Sequence, residues 1–134
     1  MAYATTTDLA RLGIAAAALS GVSSTIQEAA LEAASDVADG YMRGRYTLPL
    51  TTWGEDLTLA VCAIAAWDIL CQRGFDPNRG GDVAIETRAT AATSWLKDVS
   101  AGRVVVSGGN TTPTATRHAR ASGPRVSSDR TRGW

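Results

Sequence analysis

The sequence predicts an all-α protein: a small bundle of about four helices, an extended turn between the second and third, and a flexible C-terminal arm. Three observations predict it. Alanine accounts for 24 of the 134 residues, and alanine costs least in a helix while letting backbones approach closely. Apolar residues recur at three- and four-residue steps over most of the chain up to Gly102, the spacing of one helix face. From Ser107 on, Gly, Ser, Thr, Pro and Arg dominate, which leaves too little apolar surface to order that stretch by itself. The chain divides accordingly into a helical domain, 1–106, and a basic arm, 107–134.

Thr5-Thr6-Thr7-Asp8 is a helix start, with hydroxyl caps and an acid near the positive end of the helix dipole. Leu9 and Leu12 share one face before Gly13 closes a short first helix, and Ile14–Leu19 either continues it or adds one more turn. Ser24/Gln27 and Thr25/Glu28 both have capping-box spacing. Beyond them Ile26, Ala30, Ala33, Val37 and Tyr41 form the predicted inner face of a long helix that fades at Gly40 or Gly44. Glu28, Glu32, Asp36 and Asp39 form a second stripe. One helix face of acids with no facing histidine reads as a solvated surface, or a contact for a basic partner, rather than a metal site.

Arg45–Leu50 is extended, because Pro49 disfavours helical backbone at Leu48. A third helix is predicted from Thr51-Thr52, with Glu55 and Asp56 in its first turn. Leu57–Cys71 is apolar nearly all round, which places this helix at the centre of the bundle. Cys62 and Cys71 lie on opposite sides of it, roughly 13 Å apart along the axis. A disulfide needs Cα atoms within roughly 7 Å, so both are expected to be small buried residues of a reducing compartment. Arg73–Asp82 is a loop by composition. Asp82 is the expected cap of a fourth helix, in which Ile85, Arg88/Ala89, Ala92, Leu96 and Val99 repeat up to Gly102. Arg103–Val106 is a short strand or an extended lead-out.

The zero net charge hides an asymmetry. Residues 1–109 hold eight Lys/Arg against twelve Asp/Glu, a balance of −4, and residues 110–134 hold five Arg against one Asp, a balance of +4. An acidic body with a basic arm argues for a division of labour. Chemistry is sparse. The single histidine, His118, stands in the arm, where no third group can orient it as a catalytic base. There is no CxxC, HExxH or Walker loop. Asp76, Asn78 and Gly81 stand at three positions of a calcium loop, but Gly80 and Thr87 occupy ligand positions, so the segment reads as a plain loop. Trp67 and Trp95 fall at core positions of their helices and read as packing residues. No enzyme activity and no cofactor are expected. The longest apolar run, Leu59–Trp67, stops at Asp68 and is too short to span a bilayer, and no secretory signal opens the chain; no membrane role is expected.

The segment Asp39-Gly40-Tyr41-Met42-Arg43-Gly44-Arg45-Tyr46-Thr47-Leu48-Pro49-Leu50 resembles a turn of the small head–tail connector (adaptor or head-completion) proteins of tailed bacteriophages, the Mu-like prophage type above all. The resemblance extends to the opening Tyr3-Ala4-Thr5 with Asp8-Leu9, to Trp95-Leu96 before Gly102-Arg103-Val104, and to the stretch Pro124–Trp134. The alanines Ala15–Ala18 depart from it, standing where acidic residues are the pattern.

The resemblance implies a virion protein of the neck, assembled in the host cytoplasm as a ring of about twelve copies with closed cyclic symmetry beneath the portal protein. The ring would extend the DNA channel, let DNA pass without specific binding, and offer a surface to a downstream neck or tail-completion protein. In this picture Tyr41, Gly44, Arg45, Tyr46, Leu48 and Pro49 form a structural corner that also supplies a subunit interface, with Gly40 and Gly44 releasing the chain through left-handed or tight backbone. Arg125, Arg130, Arg132 and Trp134 would dock the arm on the portal. The rival expectation is a small nucleic-acid-binding module whose arm arginines grip phosphates, with a correspondingly steep salt dependence.

Overall fold

The structure of the protein is a computed structural model in which residues 2–108 are described. Every regular element among them is helical, as the composition and periodicity predict. Helix α1, Thr6–Asp8, runs into a π turn, Leu9–Gly13, and a 3-10 turn follows at Ala16–Leu19. Helices α2 (Ser24–Met42), α3 (Glu55–Arg73) and α4 (Gly80–Ala101) make the body. Helix α3 is the axis of the bundle, touching α2, α4 and the π turn. Ten of its residues are buried, Leu57, Val61, Cys62, Ile69 and Leu70 among them. Each large one contributes about 1.5–3 kcal/mol by leaving water.

The start of α1 is capped as its sequence predicts. Thr5 Oγ1 accepts from the Asp8 N–H at 3.2 Å and the Asp8 carboxylate accepts from the Thr5 N–H at 3.0 Å, a reciprocal capping box. The π turn then carries Gly13 against α3, so close that a Cβ there would lie 2.9 Å from the Cys62 carbonyl oxygen.

Several local expectations are corrected. The inner face of α2 is Ala30, Leu31, Ala34, Ser35, Ala38 and Met42, while Ile26 and Val37 are 44% and 46% exposed. The physical reason is Ser35: its hydroxyl accepts from the Tyr3 N–H at 2.9 Å and donates to the Leu31 carbonyl at 2.8 Å. A satisfied buried hydroxyl breaks no rule of burial, yet hydrophobic periodicity cannot see it. The α2 cap is Ser23, one residue before the predicted box, accepting from the Ile26 N–H at 3.4 Å.

Helix α3 begins at Glu55, not at Thr51, because the preceding residues are drawn elsewhere: Trp53 Nε1 donates to the Tyr3 carbonyl at 2.9 Å and the Gly54 N–H to the Ser107 carbonyl at 2.8 Å. Both cysteines are free, but only Cys62 is buried; Cys71 is exposed. Asp82 is not the cap of α4, which Arg79 precedes. It is buried in the first turn and clasps the loop, accepting from the Asp76 N–H at 3.1 Å with Arg73 3.8 Å away. Residues 103–106 form no strand: the chain bends at Arg103 and Val104 before it reaches Val106.

Candidate functional site: the corner after the second helix

Met42 ends α2 without left-handed backbone. The helix passes through Gly40, Arg43 stays helical at the cap, and the positive-φ glycines among the described residues are Gly74, Gly102 and Gly108. Of the left-handed or tight backbone expected of Gly40 and Gly44, the left-handed form is not used: Gly40 is helical, and Gly44 lies in the tight turn that follows Met42. The chain turns instead through two hydrogen bonds from the Arg45 and Tyr46 N–H groups to one carbonyl, that of Met42, both at 2.9 Å.

After that turn the residues alternate between core and solvent. Tyr46 and Leu50 are buried at 4% and 1% exposure, and Tyr41 and Leu48 pack partly buried against the same core. Gly44, Thr47 and Pro49 are exposed at the apex, with Pro49 following a cis peptide bond. Arg45 is half-buried, its guanidinium laid where a side chain on Gly102 would have to go. The Tyr46 hydroxyl accepts from the Val106 N–H at 3.0 Å. Thus Arg45 and Tyr46 lock the corner to the end of α4 and its lead-out, and the corner's outward surface is Gly44, Thr47 and Pro49.

The lead-out is tied a second time. Asp56 accepts from the Ser107 N–H at 2.8 Å, next to the Gly54–Ser107 bond. The chain therefore leaves the body beside the start of α3, with Ser107 still bonded to it.

A group that sequence reasoning missed organises the same end of the molecule. Tyr3 is 1% exposed. Its ring meets Trp53 edge-on at 4.9 Å between centroids, and its carbonyl accepts from Trp53 and from the Thr58 hydroxyl at 3.1 Å. Its hydroxyl donates to Asp39. Burial first, then that hydrogen bond, pushes the phenol up to about 12. Asp39 is thus not part of a solvated acid stripe, whereas Glu28, Glu32 and Asp36 are exposed. No periodic signal marks Tyr3, because it lies before the first helix.

On the far side of α3, a groove of about 600 Å³ runs between α3 and α4. Leu59, Ala63, Ala92 and Trp95 line it, together with Asp56, Arg11 and Arg88. Trp95, predicted as core, is only partly buried there. Arg11 is engaged with Asp8 at 3.2 Å and Glu55 at 2.9 Å. The described residues hold no group of three or more metal-ligating side chains. None of their helices is long and apolar enough to cross a membrane.

The family model described as "Bacteriophage Mu, Gp36" matches residues 3–123. The chain belongs to the bacteriophage Mu Gp36 family. Membership makes it a Mu-like phage protein, and the match begins at Tyr3, the residue that pins the N-terminal segment to α2 and α3. No curated protein matches the chain. The Gp36 match takes in the whole corner and both ties of the lead-out. Arg125, Arg130, Arg132 and Trp134 lie beyond the match and, with His118, outside the described residues.

Proposed function

We propose that this Gp36-family protein is a structural component of the virion neck, a head–tail connector that sits as a ring under the portal protein and joins the DNA-filled head to the tail. The observation that carries the reading is the Gp36 match across residues 3–123, which makes the chain a phage protein. A small helical body built around one helix, without a metal cluster among its described residues, suits an assembly role. The acidic balance of residues 1–109 suits a channel wall, because like charge keeps DNA from adhering.

The basic segment is the anchor in this proposal. Ser107, shortly before it in the chain, is bonded to Asp56 and Gly54, and the segment's Arg125, Arg130, Arg132 and Trp134 combine the residue types that dominate interface hot spots. Gly44 and Pro49, exposed at the corner, are the parts of that turn left for a neighbouring subunit or the downstream neck protein. Arg45 and Tyr46 are occupied inside the fold.

Co-sedimentation with the portal protein of the same phage tests the proposal, with the full chain beside a version ending at Gly109. Near-stoichiometric binding by the full chain, lost on truncation, is expected. Binding unchanged by the truncation removes the anchor role from the basic segment. Failure of both chains to bind, together with DNA association that weakens steeply with salt, replaces the connector by a nucleic-acid-binding module.

A further inference from the structure

Two exposed apolar surfaces of this chain stand on different elements. The first is the outer side of α2. Ile26, Ala33 and Val37, separated by seven and four residues, share one face that no other described element covers; all three are exposed, Ile26 and Val37 by nearly half. That stripe is about 16 Å long at the helical rise. Asp36, exposed and without an ion pair among the described residues, borders it. The second surface is the α3–α4 groove, floored by Leu59, itself 48% exposed, with Ala63, Ala92 and Trp95. Arg88, which also lines it, is exposed and likewise has no ion pair among the described residues.

We propose that α2 of one copy lies in the α3–α4 groove of the next, with Ile26 and Val37 against Leu59 and Trp95 and Asp36 beside Arg88. Three features select a second copy as the occupant. The groove between two helices accepts a third helix by its apolar stripe. The charges match: an acid borders the stripe and an arginine lines the groove. The basic segment 110–134 is a poorer fit at the Arg88 end, where its arginines would meet an arginine that has no ion pair among the described residues. The two surfaces stand on different elements, so the contact is head-to-tail, the kind that closes into a ring or grows into a filament. The inference supplies the subunit contact of the proposed connector and rests on that reading only for the closure into a ring.

Cross-linking of the full chain tests it. In a Cys71→Ser background, Val37→Cys with Leu59→Cys is oxidised at high protein concentration, with and without the portal protein, and run on a non-reducing gel. The expected result is a ladder of dimer, trimer and higher species from the double variant, and nothing above dimer from either cysteine alone. Arg88→Glu abolishes the ladder, and adding Asp36→Arg restores it; both positions are exposed, and circular dichroism checks that the fold is kept.

A ladder that ignores Arg88→Glu overturns the pairing, as do dimers alone, which mark a symmetric contact. A ladder that appears only after truncation at Gly109 assigns the groove to the chain's own basic segment and overturns it too. Absence of cross-links from a chain that still co-sediments with the portal removes this contact and leaves the connector standing. A ladder without portal binding does the reverse.

Discussion

Tyr3 ties three parts of the fold together: its N–H bonds Ser35, its carbonyl and ring hold Trp53, its carbonyl also accepts from Thr58, and its hydroxyl donates to Asp39. Its phenol stays neutral up to about 12, so the sign of its pH dependence is fixed. A group whose folded pKa is raised contributes stability that is complete below its unfolded value near 10 and fades as pH climbs through 12. A spectrophotometric titration is expected to show a tyrosine step near 12 that Tyr3→Phe removes. The same substitution leaves the half-buried Asp39 without its donor and costs about 1–3 kcal/mol, measured by urea unfolding at neutral pH.

The two thiols differ sharply in access. Burial pushes Cys62 up to about 12; Cys71 is raised too, by desolvation and then by Asp68 and Glu86, but it is exposed. A thiol reagent at pH 8 is expected to label one equivalent, Cys71, in the native protein and the second only on unfolding. Rapid labelling of both would contradict the packing of α3 against the π turn.

At the scale of elements, glycines report how helices end and meet. Gly102 closes α4 with φ +81°, and the Arg45 guanidinium occupies the space a Cβ would take. Gly102→Ala is expected to cost at least about 1–2 kcal/mol from left-handed strain alone, and to loosen the corner by displacing Arg45. Gly40 is the opposite case, helical with open space around it. Gly40→Ala is expected to stabilise the monomer by about 0.5–1 kcal/mol, read as a higher urea midpoint with unchanged slope.

The existence and order of the elements were legible from periodicity, and so was the central place of α3, because a helix apolar on every side has nowhere else to go. The buried face of α2 was not legible. Alanines lie on several sides of that helix, so the choice fell to Ser35, which satisfies its hydroxyl against Tyr3 and Leu31.

At the scale of the whole molecule, the body does not stop where the helices stop. Val106 is buried and bonded to Tyr46, and Ser107 is bonded to Asp56 and Gly54. A chain ending at Gly102 is expected to lose about 3–7 kcal/mol, with one buried valine, the three hydrogen bonds of Val106 and Ser107 and the two of Arg103 to Asp98 removed, and to melt several degrees lower. A chain ending at Gly109 keeps all of these contacts, and its melting temperature is expected to match the full chain's. Differential scanning calorimetry on the two truncations decides it, and an equal loss from both would shift the boundary of the body past Gly108.

The sequence by itself determined the helical class, the order of the helices, the non-helical corner and the opposite charge balances of residues 1–109 and 110–134. All of these follow from local spacing, proline chemistry and charge, which act between residues near one another in the chain. Its corner motif also pointed to phage proteins, where the Gp36 match places the chain. Only the tertiary structure decided which side of α2 is buried, that Tyr3 and Trp53 hold the N-terminal segment, that Arg45 and Tyr46 lock the corner to the end of α4, and that a groove opens along Leu59 and Trp95. Those outcomes depend on partners 32 to 60 residues apart, and pairing over such distances is set by shape and hydrogen-bond satisfaction in the assembled core, which no local pattern encodes.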